Sequence, residues 1–259
     1  MKKLSFVLLL TLTLFLGCSK ENSDDNTQTV NRSANLLGPG DSANDILSDN
    51  KFKNMLIEIA YVKGYAPTET AISNFVEQLN ERIHKDDISL VYKELPSPEK
   101  DSLSVSEISD LEKENRTVYN DGDTLGLYIY FTDASSEDDN PEEDLVTLGA
   151  VYRNTSMVIY EATIRKLASR SSLITNSTVE TATLNHEAGH LFGLVDLGTT
   201  PVNDHQDPDA KSHCNEENCL MRAELQFGWG MAKMLTSKNG ATPSFGVECI
   251  RDLQSNGGK

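Results

Sequence analysis

Leu184-Asn185-His186-Glu187-Ala188-Gly189-His190-Leu191-Phe192-Gly193-Leu194-Val195-Asp196 reads as the end of a helix built to hold a metal ion. Residues four apart on a helix share a face, so His186 and His190 can offer two imidazoles to one ion. Glu187 stands beside the first of them, placed to take a proton from a water at that ion. Gly193 can adopt the left-handed turn that ends a helix, which is expected to swing Asp196 back toward the same ion. The chain has only five histidines, and His186, His190, His205 and His213 fall within 28 residues. Asp196 is the expected third ligand, with His205 and His213 as alternatives.

Histidine-glutamate-x-x-histidine on a helix is the pattern of zinc-dependent peptidases. With Gly193, Asp196 and the later Cys219-Leu220-Met221, the stretch resembles the metzincin clan of zinc endopeptidases. In that clan a methionine after the third ligand forms a turn beneath the metal, and Met221 follows Asp196 by 25 residues. Aspartate as third ligand is similar to the snapalysin family. His213-Cys214, with four residues to Cys219 and then Met221, is similar to archaemetzincins, but the pair is displaced from the long motif. The tyrosine that some metzincins carry after the methionine is missing, since the chain continues Arg222-Ala223.

The resemblance implies an α/β (α+β) zincin fold: a mixed twisted sheet, an active-site helix and a small C-terminal subdomain. It also implies one catalytic zinc, with Glu187 as general base and a protein or peptide as substrate. A catalytic zinc keeps three protein ligands and an open fourth position. The substrate is expected to lie along an exposed strand edge before the helix, with Leu148 to Tyr152 as the candidate. The other reading is a binding lipoprotein that keeps the metzincin shape without catalysis.

Upstream, the organisation follows from apolar pattern and punctuation. Met55 to Val62 predicts a buried strand ended by Gly64 and Pro67. Thr68 caps a helix to about Ile83, with Ala71, Ile72, Phe75, Val76 and Leu79 on one stripe. Ile88–Tyr92 and Thr124–Thr132 predict further strands, and Ser104 with Glu107 makes a capping box. Leu145–Tyr152 and Met157–Ile164 read as two more strands. Ser177 with Glu180 predicts the cap of the metal-binding helix. Between them, Asp133 to Asp144 holds seven acidic side chains in twelve positions. That run reads as a solvated loop, with a calcium ion as the alternative.

The amino terminus is a targeting segment. Lys2 and Lys3 precede a 13-residue apolar run, Leu4 to Leu16, of signal-peptide length. Phe15-Leu16-Gly17-Cys18 resembles a bacterial lipobox, which implies cleavage of residues 1–17 and acylation of Cys18, by palmitate among others. The alternative is a secreted protein with an incidental cysteine. Ser19 and the acidic Asp24-Asp25 look like export signals of surface lipoproteins, so an outer-membrane lipoprotein of the cell envelope is expected, with its outward and periplasmic faces both open. Residues 18–45 read as a flexible tether, with order from near Lys51. The peptidase domain spans 46–259, its C-terminal subdomain beginning at 194. Three cysteines remain. A Cys214–Cys219 disulfide is the first expectation, and pairing of either with Cys249 stays open.

Composition sets outer limits. Among 259 residues, 38% are apolar and 24% charged, enough for one core in a single domain. A net charge of −17 argues against nucleic acid and against adsorption to anionic lipid. A monomer is expected.

Overall fold

Among the described residues, nine strands run in chain order: β1 (Asn54–Val62), β2 (Asp87–Leu95), β3 (Ser102–Leu103), β4 (Thr124–Thr132), β5 (Ser135–Ser136), β6 (Gly149–Arg153), β7 (Ser156–Tyr160), β8 (Gln206–Asp207) and β9 (Ala210–Cys214). Five of them form the main sheet in the order β2-β1-β4-β7-β6. All its pairings are parallel except β6 with β7, which is antiparallel and leaves β6 on the edge. The computed structural model describes residues 32–140, 142, 145–170, 172–226 and 228–259. The targeting segment and Cys18 lie outside them. No helix among the described residues is long and apolar enough to cross a membrane.

β4 explains the layering. Successive strand side chains point to opposite faces. Leu125, Leu127, Ile129 and Phe131 enter one apolar cluster, while Tyr128 and Tyr130 enter another. The first cluster is closed by α2 (Glu69–Arg82) and α5 (Asn176–Leu191). The second is closed by α3 (Val105–Asn115) through Ile108. A sheet covered on both faces explains why β4 is almost wholly buried. The small C-terminal helices α6 (Gly228–Ser237) and α7 (Val247–Ser255) join the first cluster through Met231, Leu235 and Leu253.

Two of the three expected helix caps are found where the residues imply. The Thr68 hydroxyl accepts from Ala71 N–H at the start of α2, and Ser104 with Glu107 closes a full capping box on α3. Three expectations need correction. The chain is already folded at Arg32, with a 3-10 turn at Arg32–Asn35 and helix α1 at Ala43–Leu47. Polar bonds hold that segment, which is why its composition misleads: the buried Asn35 amide donates to Asn120 Oδ1, Gly126 O and Thr155 Oγ1 at 2.9–3.1 Å. The apolar run from Met157 leaves the sheet at Tyr160 and becomes helix α4 (Glu161–Ala168), whose Ile164, Leu167 and Ala168 face the core. Thr175, not Ser177, caps α5 by accepting from Thr178 N–H.

Glu180, freed from that cap, ties α5 to α2. Its carboxylate accepts from Thr68 N–H at 2.9 Å and from the Thr68 hydroxyl. Glu161 is fully buried nearby and pairs with Arg165 at 2.5 Å. Burial, then the charge of Glu180, outweigh Arg165 and push the Glu161 carboxyl up to about 8. The native state therefore holds a proton that the unfolded chain releases above pH ~4.5. Stability on this account is fully present below the unfolded value and declines as pH rises toward about 8. Glu161→Gln, which has nothing to ionise, is expected to flatten that decline. The effect has an upper bound of about 5 kcal/mol, and thermal denaturation from pH 5 to 9 measures it. Parallel curves for the two proteins would show that Glu161 keeps its charge.

Candidate metal centre

Helix α5 runs through the core, with every residue from Val179 to Leu191 buried. It ends in a Schellman turn: Gly193 N–H donates to His190 O at 3.0 Å and Leu194 N–H to Gly189 O at 3.1 Å. Gly193 has φ of +69°, and a Cβ there would lie 2.8 Å from Thr199 N. Thr199 then folds back on the helix end, its hydroxyl donating to Phe192 O at 2.6 Å.

Asp196 lies in this fold-back. Val195 and Asp196 both take left-handed backbone, at φ +56° and +61°, and the Asp196 side chain is exposed. Its carboxylate is not among the groups that converge with the helical imidazoles. His213, on β9, takes that place. The ligand atoms of His186, His190 and His213 all lie within 4.8 Å of one another. Their ring centroids are 5.0, 5.1 and 5.5 Å apart. Val195 and Asp196 take left-handed backbone after the helix, and the β8–β9 hairpin brings the third imidazole to the helical pair.

The backbone orients two of the rings. Carbonyl oxygens can only accept, so His186 Nδ1–H donates to Leu220 O at 2.7 Å and His213 Nδ1–H to Lys211 O at 2.9 Å. That leaves Nε2 of both rings as bare lone pairs, each buried without a hydrogen-bond partner. Burial drives all three imidazoles toward the neutral form, with His186 down to about 4 and His190 held well below its ordinary value. Neutral, buried imidazoles with unshared lone pairs aimed at one another fit a divalent cation.

Glu187 faces β6. A Cβ on Gly149 would lie 2.9 Å from Glu187 Cγ, so only glycine lets the edge strand approach this side chain. Val151 N–H donates to the Glu187 carboxylate, yet burial prevails and pushes the carboxyl up to about 8. A cation between the three rings would draw it back down. The expected substrate-binding segment, Leu148 to Tyr152, thus coincides with the sheet's edge strand and touches the expected base. Met221 is fully buried against α5. Its thioether occupies the space over Gly189, where a Cβ would come within 2.2 Å of Sδ.

A second cluster lies behind β9. Neighbouring strand residues face opposite ways, so His213 serves the imidazole group while Cys214 serves a thiol group. His205, Cys214 and Cys249 have ligand atoms within 4.8 Å of one another, and Cys219 Sγ is 3.6 Å from Cys249 Sγ. All three cysteines are free thiols, so the expected Cys214–Cys219 disulfide is absent. His205, expected as a possible ligand of the first ion, belongs here. Its Nε2–H donates to Asp252 Oδ2 at 2.7 Å, and its Nδ1 lies 3.2 Å from Cys214 Sγ. Hydrogen bonds from Cys214 and Cys249 hold the Cys219 sulfur far below the usual thiol range, so the cluster favours one thiolate. Sequence reasoning missed this group because Cys249 is 30 residues from Cys219; the strand alternation at His213-Cys214 was the available signal.

Of the acidic run, Glu143 and Asp144 lie outside the described residues. Among the described residues, none of its carboxylates joins a convergent set of three, and Asp139 is spent on Thr147 N–H at 2.7 Å.

No family model and no curated protein matches the sequence. Ten solved chains match the fold. One of them, the archaemetzincin of Methanopyrus kandleri, is 18% identical, with a TM-score of 0.50 over 79% of this chain and 96% of that one. The fold is therefore an archaemetzincin-like α/β zincin fold.

Proposed function

We propose that the chain is a zinc-dependent metallopeptidase whose ion is held by His186, His190 and His213. The observation that carries this reading is the convergence of three neutral imidazoles, two with unshared lone pairs, beside a buried glutamate at a strand edge. Zinc bound there supplies a Lewis acid that polarises a peptide carbonyl and acidifies a water to a pKa near 7. The chain's own residues do the rest. An extended peptide pairs with β6, which sets the scissile carbonyl near Glu187. Glu187 accepts the proton of the attacking water and returns it to the departing amine. Leu220 and Lys211 carbonyls keep two imidazoles in one tautomer and one orientation.

His205 and the three thiols have the donor types of a structural zinc site, so the reading extends to a second ion that pins the segment carrying His213. A purely binding role would leave the buried carboxyl of Glu187 without a task. The amino-terminal segment supports export and acylation at Cys18, which would place the enzyme on the cell envelope.

Purified protein is expected to carry about two zinc ions and to cleave an unfolded protein in a chelator-sensitive manner. Metal analysis together with cleavage, with and without 1,10-phenanthroline, tests this. Cleavage that survives complete metal removal would point to another chemistry.

A further inference from the structure

A cavity of about 530 Å³ opens where β4 and β7 end. Carboxyl ends of parallel strands are where open α/β sheets take up ligands. Asp133 follows directly on β4, and Lys166 and Arg170 stand on or just beyond α4, which follows β7. Val146 also lines it. Val146 lies three residues before Gly149, against which Glu187 packs. Three extended residues span about 10 Å, so the cavity lies along the same edge as the proposed peptide track.

Its lining is specific in charge. Asp101, Asp133, Glu137 and Asp139 contribute four carboxyls, against two cations from Lys166 and Arg170. Asp133 Oδ1 is shielded from solvent and has no hydrogen-bond partner. Trp229 closes one side and is 61% exposed, an unusual state for the chain's single tryptophan. An indole face attracts cations, and an unpaired buried carboxylate oxygen favours a charged donor.

We propose that this cavity receives a lysine or arginine side chain of the bound peptide, two to four residues from the cleaved bond, with Asp133 as its anchor. The proposal rests on the peptidase reading for the peptide's path, but its test does not depend on cleavage. Because Trp229 is the only tryptophan, its emission reports on the surroundings of one indole, which borders this cavity on one side and a groove at Glu217 and Arg222 on the other. Zinc-loaded Glu187→Gln protein is titrated with three peptides identical except for Lys, Leu or Glu at one position. The Lys peptide is expected to shift the Trp229 emission and bind about tenfold more tightly than the others. Asp133→Asn should reduce that preference to within about twofold and leave the Leu peptide unchanged. Lys166→Glu, at an exposed position where folding is not at risk, should increase it. Equal binding of the Lys and Leu peptides, preference for Glu, or an unchanged emission with all three would overturn the proposal. A Lys-selective shift in a protein that cleaves nothing would sink the peptidase reading while leaving the cavity's selectivity standing.

Discussion

Glu187→Gln is expected to cut cleavage of an unfolded protein by about 10²–10⁴-fold while leaving bound zinc unchanged, the range for loss of a positioned general base. Gln has nearly the same shape, so the contact with Gly149 and the path of β6 survive. The carboxyl is not needed to hold the ion, because three imidazoles already converge. Both readouts matter. A fall in activity accompanied by loss of zinc would make Glu187 a ligand or a folding residue. Retained activity would remove it from the chemistry altogether.

His213→Ala carries the second large effect. With one of three protein ligands gone, zinc at this centre should weaken by more than about 100-fold, beyond what loss of an orienting partner costs. Cleavage should fall with it, while the ion at the thiol cluster stays. Asp196→Ala is the matched control. That carboxylate is exposed on left-handed backbone, so metal content and activity should stay within about twofold, as expected of surface changes. The opposite pair of results, with metal lost at Asp196 and kept at His213, would restore the ligand set that the motif alone suggests. Titration of each variant against a competing zinc chelator gives the affinities directly.

How much of this was legible in the sequence depends on how far each signal reaches along the chain. The cap at Thr68 and the capping box at Ser104 are contacts over three residues, and both are where the residues imply. The runs Met55–Val62 and Thr124–Thr132 match strands almost to the residue, because each is buried on both faces. The end of β7 was less readable. Met157 to Ile164 is apolar enough for a strand, and only packing against the sheet turns its second half into a helix. The amino-terminal segment looked like tether because its ordering depends on Asn35 and Asn154, whose partners lie over 80 residues away.

The site divides in the same way. His186, Glu187, His190 and Gly193 belong to one helix, so their arrangement follows from its geometry. The third imidazole comes from a hairpin whose position is set by long-range closure, through Cys214 N–H to Met221 O at 2.7 Å and Met221 against Gly189. No spacing rule chooses among Asp196, His205 and His213. Strand alternation sorts the last stage, since His213 and Cys214 must face opposite clusters.

Anomalous scattering at the zinc edge, from crystals of the zinc-loaded protein, locates the ion among its ligands. A peak bonded to the imidazoles of His186, His190 and His213 at about 2.0–2.1 Å is expected, with the Asp196 carboxylate remote. A second peak should lie among His205 and the three cysteines. Zinc bound through Asp196 in place of His213, or no peak between the three rings, would contradict this ligand set.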